Sequence, residues 1–456
     1  MAQKTALIVG MAKSGISSAK LLYKQGYRIV INDLKTEIPG LAEALEGIEY
    51  EDRLGVAPEA LLDGVDLMVI SPVIPIFRPF VKTAILKGIE VIGEIELGYR
   101  YCDRGTRFVC IGGTNGKTTT TALTGEIFKA DCAKKADGSS TFVLGNIGIP
   151  ITEHALETKA GDTVVAETAS LQLESIVDFH ANAAGLINIT EDHINRFGSM
   201  DAYIAAKMRM FENQTEDDVA ALNADDPIVM RAHTRAHVYL FSYRHEVEEG
   251  AFVRDGMMIF RHHGVETEII PTEELGIPGN HNLENALCAC CLSLGMGVDI
   301  EVLREVLRTF KGAEHRIEFT RVLDGVTYYN DSKGTNPDST IMAVRAMKTP
   351  TVLLLGAGNY DKQSDYRPVF REFNGKVKAV VVNGSNTAAI MQAAKDEGFE
   401  AIYPVPDDFR EMILMAKSLA EPGDAVLLSP ACASWGMFTD YEERGRIFKE
   451  IVNSLE

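Results

Sequence analysis

Residues 107–128 read RFVCIGGTNGKTTTTALTGEIF, and this stretch decides the fold class. An apolar run typical of a buried strand passes into a glycine loop, and a threonine-rich helical segment follows at once. In such an arrangement the backbone N–H groups of the loop and the positive end of the helix face an anion. The stretch therefore predicts a phosphate-binding loop at the edge of a parallel sheet.

The loop differs from the common form G-x-x-x-x-G-K-[ST], because Ile111 stands at the first glycine position. Lys117 is still placed to reach the β- and γ-phosphates of ATP, and the Thr118 hydroxyl is placed to bind Mg²⁺. The alternative, a plain glycine turn before a surface helix, leaves the preceding strand and the threonine-rich helix unexplained. The predicted ATP-binding residues of the loop are Gly113, Thr114, Asn115, Gly116, Lys117, Thr118 and Thr119.

Strands alternate with helices on both sides of this loop, which indicates parallel sheets. The predicted outer strands are 5–10, 27–35, 66–72 and 88–94 before the loop, and 351–358, 377–384, 401–405 and 424–431 after it. We therefore predict an α/β chain of three domains with hinges near 100–106 and 310–314. The predicted domains are a Rossmann-like domain at 1–100, a central P-loop ATPase-like domain at 101–312 and a Rossmann-like domain at 313–456.

Bulk composition excludes some classes of function. The 456 residues carry a net charge of −20, which argues against a nucleic-acid surface, because phosphate backbones are held by clustered Lys and Arg. No stretch reaches the roughly 20 apolar residues of a membrane span, and the first residues do not resemble a signal peptide. Cys288, Cys290 and Cys291 fall in a helical run of small residues and are predicted to be packed thiols. A cytoplasmic protein is expected.

The N-terminal segment carries a second glycine loop. Gly10 to Gly15 follow the first predicted strand, and Asp33 ends the second, as in a dinucleotide-binding fold. The middle glycine of G-x-G-x-x-G is absent. The alternatives are NAD, another phosphate-bearing ligand, or a turn without a ligand.

Polar residues at predicted strand ends extend the candidate site. Glu167 ends the strand VVAE, and Asp192 and His193 follow the strand GLINIT. With the phosphate loop they form a plausible Mg²⁺ set, although Mg²⁺ prefers oxygen ligands. Lys207 lies in an amphipathic helix, where its spacing alone predicts a solvated side chain.

Three loops of the last segment lie at carboxyl ends of predicted strands, where ligands of such sheets bind. They are NDSKGTNP (330–337), GNYDKQSD (358–365) and SPACASWGMF (429–438). Thr335, Lys362 and Ser434 could meet there at one anionic site. Ordinary polar loops are the alternative.

Taken together, these motifs resemble the Mur ligase family from end to end. The matching stretches are IGGTNGKTTT, GNIG, ETASLQLE, NITEDHINRFGS, AAKMRMFEN, GNHNLENA, EHRIE, NDSKGTNPD and LSPACAS. The resemblance is greatest to members that add D-glutamate, on account of SPACAS, NDSKGTN and GMAKSG. It implies an ATP-dependent ligase that joins D-glutamate to UDP-N-acetylmuramoyl-L-alanine through an acyl phosphate, in peptidoglycan precursor synthesis. A monomer without nucleic-acid or membrane partners is implied.

The resemblance also implies residue roles. Catalysis falls to Lys117, His193 and Lys207, with Lys207 carried as a carbamate. Two Mg²⁺ ions are implied, with ligands among Thr118, Glu167, His193 and Lys207. The further residues around ATP are Asn282, Asn285, His315, Arg316 and Asp331. Those around the uridine-nucleotide substrate are Ser14, Asp33, Ser71, Asn146 and His193. The residues implied for binding D-glutamate are Thr335, Lys362, Ser434 and Tyr441. Lys333 matches a lysine of the family in the loop that also carries Thr335.

The chain departs from the family pattern at a few positions. Gly112 stands where threonine is usual, Ala169 where serine is usual, and Val73 where glycine is usual. Tyr441 replaces a phenylalanine, and the loop before Lys362 is longer. Another ligase of the superfamily, for a different amino acid or folylpolyglutamate synthase-like, is the near alternative. An NAD-linked oxidoreductase and a nucleotide-binding regulator are the distant ones, and the former leaves residues 107–340 unexplained.

Overall fold

The computed structural model describes residues 3–146, 148–277, 279–312, 314–359 and 364–456. Its contacts divide the chain into two compact units, Met1–Phe310 and Lys311–Glu456. We call them the first and the second unit. The first unit holds two sheets and the second unit holds one.

The first sheet has the strand order β3-β2-β1-β4-β5, and its pairs are parallel. This order is that of a Rossmann-like half. Residues of β1 are buried throughout, as expected for a strand covered on both faces by helices. Its elements are β1 (Thr5–Val9), α1 (Lys13–Lys24), β2 (Arg28–Asn32), α2 (Leu41–Ala44), β3 (Tyr50–Asp52), β4 (Leu67–Ile70), α3 (Pro79–Leu86), β5 (Glu90–Gly93) and α4 (Glu94–Tyr101).

The central sheet has the order β14-β13-β12-β11-β10-β9-β6-β8-β7. Pairs from β7 to β12 are parallel, whereas β12, β13 and β14 are antiparallel. The elements are β6 (Arg107–Gly112), α5 (Lys117–Lys135), β7 (Thr141–Gly145), α6 (Ile151–His154), β8 (Thr163–Glu167), α7 (Ser170–Leu173), β9 (Ala183–Leu186), α8 (Ile194–Phe197), α9 (Met200–Met208), β10 (Val219–Asn223), β11 (His237–Ser242), β12 (Gly250–Arg254), β13 (Met257–His262), β14 (Val265–Pro271), α10 (Asn280–Gly295) and α11 (Ile300–Thr309).

The sheet of the second unit has the order β15-β16-β20-β17-β18-β19 and is parallel except for the pair β15–β16. Its elements are β15 (Glu318–Leu323), β16 (Val326–Asn330), α12 (Pro337–Ala346), β17 (Thr351–Gly356), α13 (Arg367–Arg371), β18 (Val377–Asn383), α14 (Thr387–Asp396), β19 (Ile402–Pro404), α15 (Phe409–Leu419), β20 (Ala425–Leu428) and α16 (Tyr441–Ser454). Strands β17 and β20 are wholly buried between helices, which explains their uninterrupted apolar sequences.

Helix α4 joins the first sheet to the central one through two buried carboxylates. Glu96 is fully buried and accepts hydrogen bonds from the backbone N–H groups of Val177, Asp178 and Phe179 at 2.8–3.0 Å. Glu94 accepts from the backbone N–H and the hydroxyl of Thr152 at 2.8 and 2.9 Å, and burial raises its pKa. These bonds explain why residues 1–310 pack as one unit.

The α/β class and the parallel sheets confirm the fold expected from the alternating pattern. The predicted outer strands are all present, with ends shifted by up to three residues. Strands β3, β7 and β10 to β15 were not foreseen. None of the helices in the described residues combines the length and the apolar character that crossing a membrane requires.

Candidate active site

The phosphate loop connects the carboxyl end of β6 to the first turn of α5, as its sequence predicts. Gly116 caps the helix with a φ of +83°, a left-handed conformation that favours glycine. A Cβ at Gly116 would also lie 2.2 Å from Oδ1 of Asn285. Asn285, which bonds Asn282 at 3.3 Å, is thereby placed directly against the loop. The structure therefore brings the predicted residues of α10 to the phosphate loop.

A residue that the sequence analysis did not single out holds the loop in shape. Oδ1 of Asn188 accepts hydrogen bonds from the backbone N–H groups of Thr114 and Asn115, at 3.1 and 2.8 Å. Asn188 follows β9, the neighbour of β6 in the sheet. An asparagine just past a buried strand beside a phosphate loop is the sequence signal that could have identified it.

Two lysines converge on one carbonyl of the loop. Nζ of Lys117 donates to the carbonyl oxygens of Gly113 and Thr114 at 2.9 and 2.8 Å. Nζ of Lys207 donates to the same Gly113 oxygen at 2.7 Å. Two amino groups that are 90 residues apart in sequence thus meet at the edge of the central sheet.

Lys207 is buried, and this corrects the expectation of a solvated side chain. Only 3% of the residue is exposed, and its ammonium group lies 4.7 Å from the ring centre of Tyr203. Burial lowers the pKa of Lys207 well below its ordinary value, and the charge of Lys117 lowers it further. Asp192 acts in the opposite direction. Burial and the charge of Lys117 therefore favour the neutral amine of Lys207, which is its nucleophilic form.

His193 lies at the start of α8 on the same side. Its φ of +53° is left-handed, its backbone N–H donates to Oδ1 of Asp192 at 2.8 Å, and its side chain is about half exposed. The ring centres of His193 and Tyr203 are 6.5 Å apart. The Tyr203 hydroxyl lies 3.1 Å from Oγ1 of Thr114, which connects His193 to the loop through one aromatic ring.

Glu167 ends β8, the strand that pairs with β6 beside the loop. It is 2% exposed, and its Oε1 accepts a hydrogen bond from Nδ2 of Asn146 at 2.7 Å. A buried carboxylate and the hydroxyl of Thr118, which lies in the first turn of α5, are both oxygen donors suited to Mg²⁺. The donor chemistry at this edge of the sheet fits a magnesium centre.

The packing around Gly112 explains the absence of the usual threonine. A Cβ at this position would lie 2.9 Å from Sδ and 3.2 Å from Cε of Met210, which follows α9. Met210 is itself buried. The volume of the missing side chain is thus taken by a flexible thioether from another element.

Replacing Gly112 with threonine alone is expected to overpack this contact and to lower the free energy of unfolding by about 1 kcal/mol. Met210→Ala alone leaves a cavity and costs about 2 kcal/mol or more. In the double variant the threonine occupies the vacated volume, so the combined loss is smaller than the sum of the two. Urea unfolding of the three variants measures this coupling, and strict additivity would contradict the packing account.

The departures at Ala169 and Val73 have local explanations of a simpler kind. Ala169 is the N-cap of α7 and has no side-chain acceptor, but its backbone N–H donates to Oε1 of Gln172 at 2.9 Å. Half of a capping box therefore remains without the serine hydroxyl. Val73 is 72% exposed and has no left-handed φ, so glycine is not needed there.

The residues predicted for the uridine-nucleotide substrate gather at the loop after β1. A Cβ at Gly10 would lie 2.6 Å from Cβ of Ser71, and Oδ2 of Asp33 accepts from the backbone N–H of Met11 at 2.9 Å. Ser14 and Ser71 lie close together, beside Ser18 and Glu94. Asn146 and His193 lie in the central region instead. The structure therefore unites three of the five predicted residues.

In the second unit, Asp331 organises the residues predicted near ATP. It is fully buried, and its Oδ1 lies 3.8 Å from the Arg316 guanidinium and accepts from the backbone N–H of Ile317 at 3.2 Å. Nδ1 of His315 lies 2.9 Å from Nδ2 of Asn330, the residue before Asp331. His315, Arg316 and Asp331 thus form one cluster.

Burial raises the pKa of Asp331 to about 6, although Arg316 and the hydrogen bond from Ser429 favour the carboxylate. The folded state then binds more protons than the unfolded state between about pH 4 and pH 6. Its stability therefore falls across this window as pH rises, by about 3 kcal/mol at most. Asp331→Asn is expected to remove this dependence. The difference in free energy of unfolding between the variant and the parent protein should move in favour of the variant as pH rises.

Fluorescence of Trp435, the single tryptophan of the sequence, reports the unfolding of the second unit in this measurement. A matched control is Asp365→Asn, because Asp365 is an exposed carboxylate paired with Arg367 in the same unit. The same pH dependence in Asp331→Asn and in the parent protein would refute the assignment of the slope to Asp331.

Arg444 of α16 is a second functional candidate that the sequence analysis missed. It is fully buried and donates to the carbonyls of Ser332, Ala357 and Cys432, at 2.8–3.3 Å, and to the hydroxyl of Ser332 at 2.9 Å. These acceptors lie in three different loops. Burial lowers the pKa of Arg444 to about 10, so the guanidinium stays charged at neutral pH.

The loops predicted to meet at the carboxyl ends of the strands do meet around this arginine. The backbone N–H of Ala431 donates to the carbonyl of Gly334 at 2.8 Å, which sets the loops of Thr335 and Ser434 side by side. Ser434 is 3% exposed, and Nζ of Lys333 lies 5.5 Å from the ring centre of Tyr441. Lys362 lies outside the described residues.

Comparisons with known proteins cover nearly the whole chain. A model described as "Mur ligase MurD-like, N-terminal domain" matches residues 4–93. The "Mur ligase middle domain" matches residues 111–293, and the "Mur ligase, glutamate ligase domain" matches residues 315–432. The three matches follow the three sheets in order.

Curated relatives share one name. A UDP-N-acetylmuramoylalanine–D-glutamate ligase of Alkaliphilus oremlandii is 44% identical and covers 99% of both chains. Ligases of the same name from Pelotomaculum thermopropionicum and Clostridioides difficile are 44% and 41% identical. The first covers 100% of this chain and 98% of its own, and the second covers 99% of both.

Solved structures share the fold at low sequence identity. A UDP-N-acetylmuramate–alanine ligase of Thermotoga maritima superposes with a TM-score of 0.60 at 18% identity, over 99% of both chains. MurF of Acinetobacter baumannii gives a TM-score of 0.59 at 15% identity, over 98% of this chain and 93% of its own. At these identities the likeness concerns the fold alone.

Proposed function

The chain belongs to the Mur ligase family, and on that premise we propose that it joins D-glutamate to UDP-N-acetylmuramoyl-L-alanine with hydrolysis of ATP to ADP and phosphate. The observation that carries the proposal is the convergence of Lys117 and Lys207 on Gly113 beside a buried carboxylate, Glu167. Lys117 would supply a cation for the phosphates and Glu167 a carboxylate for Mg²⁺, and both are recurring parts of phosphoryl-transfer sites. The full-length similarity to D-glutamate ligases supports the choice of substrate.

A carboxylate does not react with an amine, because it is anionic and its oxygen is a poor leaving group. Phosphorylation by the γ-phosphate of ATP removes both obstacles, since the resulting acyl phosphate expels phosphate when the amine of D-glutamate attacks. The protein has to hold the reacting groups in line and to offset their negative charge. In this proposal Lys117 and the backbone N–H groups of the loop perform that task.

We further propose that Glu167, Thr118 and His193 hold Mg²⁺ together with a carbamate on Lys207, and that two ions are bound. When bound, Mg²⁺ offsets the charge of the phosphate oxygens. The neutral amine of buried Lys207 would attack CO₂, form the N–C bond and lose a proton. Lys207 would thereby become an anionic oxygen donor, the ligand type that Mg²⁺ prefers.

The amino-acid substrate belongs in this proposal to the second unit. Thr335, Ser434 and Tyr441 would bind D-glutamate, and Lys362 completes the proposed set. Arg444 is a positioning residue, because its hydrogen bonds to Ser332 and Cys432 hold the loops that carry them. The proposal assigns His315, Arg316 and Asp331 to the nucleotide.

A cytoplasmic monomer is part of the same proposal. None of the seven cysteines, all of which lie in the described residues, forms a disulfide, which suits a reducing compartment. Both substrates are small molecules, so the proposed reaction needs no macromolecular partner.

The test is phosphate release measured with the purified protein, ATP, Mg²⁺ and UDP-N-acetylmuramoyl-L-alanine, against a panel of amino acids. We expect release with D-glutamate and not with L-glutamate, L-alanine, L-lysine or meso-diaminopimelate. Release that depends on another amino acid would redirect the proposal to a different ligase of the superfamily. Release that requires a folate and glutamate would identify the folylpolyglutamate type.

A further inference from the structure

Three histidines and a glutamate form a cluster on strands near the β14 end of the central sheet, whose other end is β7. His237 begins β11, Glu249 precedes β12, and His262 and His263 lie at the turn between β13 and β14. Their ring and carboxylate atoms come from three neighbouring strands. The sequence analysis attached no role to any of them, and the proposed ligase reaction does not use them.

The carboxylate of Glu249 is the centre of the cluster. Its Oε1 lies 3.2 Å from Nε2 of His237 and 2.8 Å from Nδ1 of His262. Nδ1 of His263 lies 4.0 Å from the same oxygen. The donor atoms of His237, Glu249 and His262 all lie within 4.8 Å of one another. Two ligands of a tetrahedral ion, each about 2.0–2.2 Å from it, are roughly 3.3 Å apart, so small shifts would bring three donors onto one ion.

Packing holds the rings where they are. Tyr239 is 5% exposed, and its ring centre lies 4.6 Å from that of His237. The hydroxyl of Tyr239 lies 3.0 Å from Nδ1 of His262. The backbone N–H of His263 donates to Oε2 of Glu249 at 2.9 Å, which orients the carboxylate. The donors therefore rest on a buried aromatic floor and a fixed turn rather than on mobile surface chains.

The cluster is separate from the phosphate loop. Strands β6, β9, β10 and β11 are parallel, and their registers align His237 with Val109. The phosphate loop follows Gly112 at the carboxyl end of β6. His237 begins its strand, so the cluster lies toward the amino-end edge of the same sheet.

A second group of similar composition makes the distinction clear. Glu314, His315 and Glu318 in the second unit also lie close enough for one ion. There, however, Nζ of Lys449 bonds Glu314 and Glu318 at 2.5 and 2.9 Å, so an ammonium group already neutralises both carboxylates. Within the described residues, no lysine or arginine forms an ion pair with Glu249. The polar partners of its carboxylate are the histidines.

We propose that His237, Glu249 and His262 bind one divalent transition-metal ion of the zinc type. Two imidazoles and a carboxylate form a donor set that Zn²⁺ takes and that Mg²⁺, which prefers oxygen ligands, does not favour. His263 lies at the rim of the site. The ion would join β11 and β13 across β12 and so fasten the antiparallel extension to the parallel part of the sheet. Its role is structural, because the site lies away from the reacting groups.

The test is Zn²⁺ binding to the tag-free full-length protein in excess Mg²⁺, measured by titration calorimetry and by the visible spectrum of the Co²⁺ form. His237→Gln and His262→Gln each remove one ligand. His154→Gln is the matched control, because His154 forms a lone histidine–carboxylate pair with Glu157 at 2.8 Å. Circular dichroism and phosphate release show whether each variant is folded.

The parent protein and His154→Gln should bind one more equivalent of Zn²⁺ than the two ligand variants, or bind it at least about tenfold more tightly. Zn²⁺ should also raise the Tm of the first two proteins more than that of the ligand variants. Equal stoichiometry, affinity and Tm shift in all four proteins would overturn the proposal, since the ion would then bind elsewhere. The absence of Zn²⁺ binding in the parent protein would overturn it as well.

Discussion

Lys117→Ala is expected to lower the rate of phosphate release by at least about a thousandfold, with little loss of folded protein. In the proposed reaction its ammonium group offsets the charge of the β- and γ-phosphates of ATP. In the structure it donates hydrogen bonds to two carbonyl oxygens of the loop itself, those of Gly113 and Thr114. Because this loop is solvent-facing at Asn115, the lost hydrogen bonds should reduce the free energy of unfolding by about 1 kcal/mol.

The measurement combines phosphate release with thermal unfolding. Lys129→Ala is the control, because Lys129 lies on the same helix α5 and pairs with Glu126 on the surface. It should leave both the rate and the stability nearly unchanged. An unchanged rate of phosphate release in Lys117→Ala would contradict the assignment of the phosphate loop, whatever the thermal stability of the variant.

Lys207→Ala is expected to be nearly inactive and to regain part of its activity when a short carboxylic acid is added. The substitution removes the amine that would carry the carbamate and leaves a space beside Gly113 that a small carboxylate can enter. Lys207→Arg keeps a positive charge but cannot form the carbamate. It should stay inactive with or without the acid, because its side chain fills the space.

A second measurement does not depend on turnover. In ¹³C NMR with labelled bicarbonate, the parent protein should show a carbamate resonance that Lys207→Ala lacks. Lys129→Ala again serves as the control and should keep the carbamate resonance of the parent protein, because Lys129 pairs with Glu126 on the surface. Full activity of unrescued Lys207→Ala would show that the buried lysine has no part in the reaction.

The regular part of the fold could be read from local patterns. Strands that are buried on both faces have continuous apolar sequences, so β1, β17 and β20 can be predicted from sequence alone. The glycine loop before α5 follows from local chemistry as well, since only a few backbone shapes hold a phosphate. Glu167 could be placed beside the loop because the carboxyl ends of parallel strands share one edge.

Long-range packing could not be read in this way. The spacing of apolar residues in α9 does not indicate that Lys207 turns into the interior. There its Nζ donates a hydrogen bond to the carbonyl oxygen of Gly113. Arg444 looks like a surface residue of an amphipathic helix until three loops close around it. Strand β14 buries only the adjacent Ile269 and Ile270, so its sequence has no regular alternation of buried apolar and exposed polar residues.

The roles that came from family resemblance have the same limit. Ser14, Asp33 and Ser71 are placed together by the glycine loop after β1, and local sequence implies that much. That they bind a uridine nucleotide stays a prediction. The exchange of side-chain volume between Gly112 and Met210 depends on two segments meeting in space, so neither residue reveals it alone.

The buried carboxylate of Glu96 has a practical consequence for cutting the chain. A fragment that begins at the phosphate-loop strand would leave the amides of residues 177–179 without their acceptor and would expose the apolar surface that α4 covers, which includes Phe108 and Phe179. Each amide left unsatisfied in a buried position costs about 1–3 kcal/mol. The ATP-binding region should therefore be expressed as a folded fragment only when the fragment includes residues 94–101. A protease is expected to cleave after Phe310 before it separates the first two sheets.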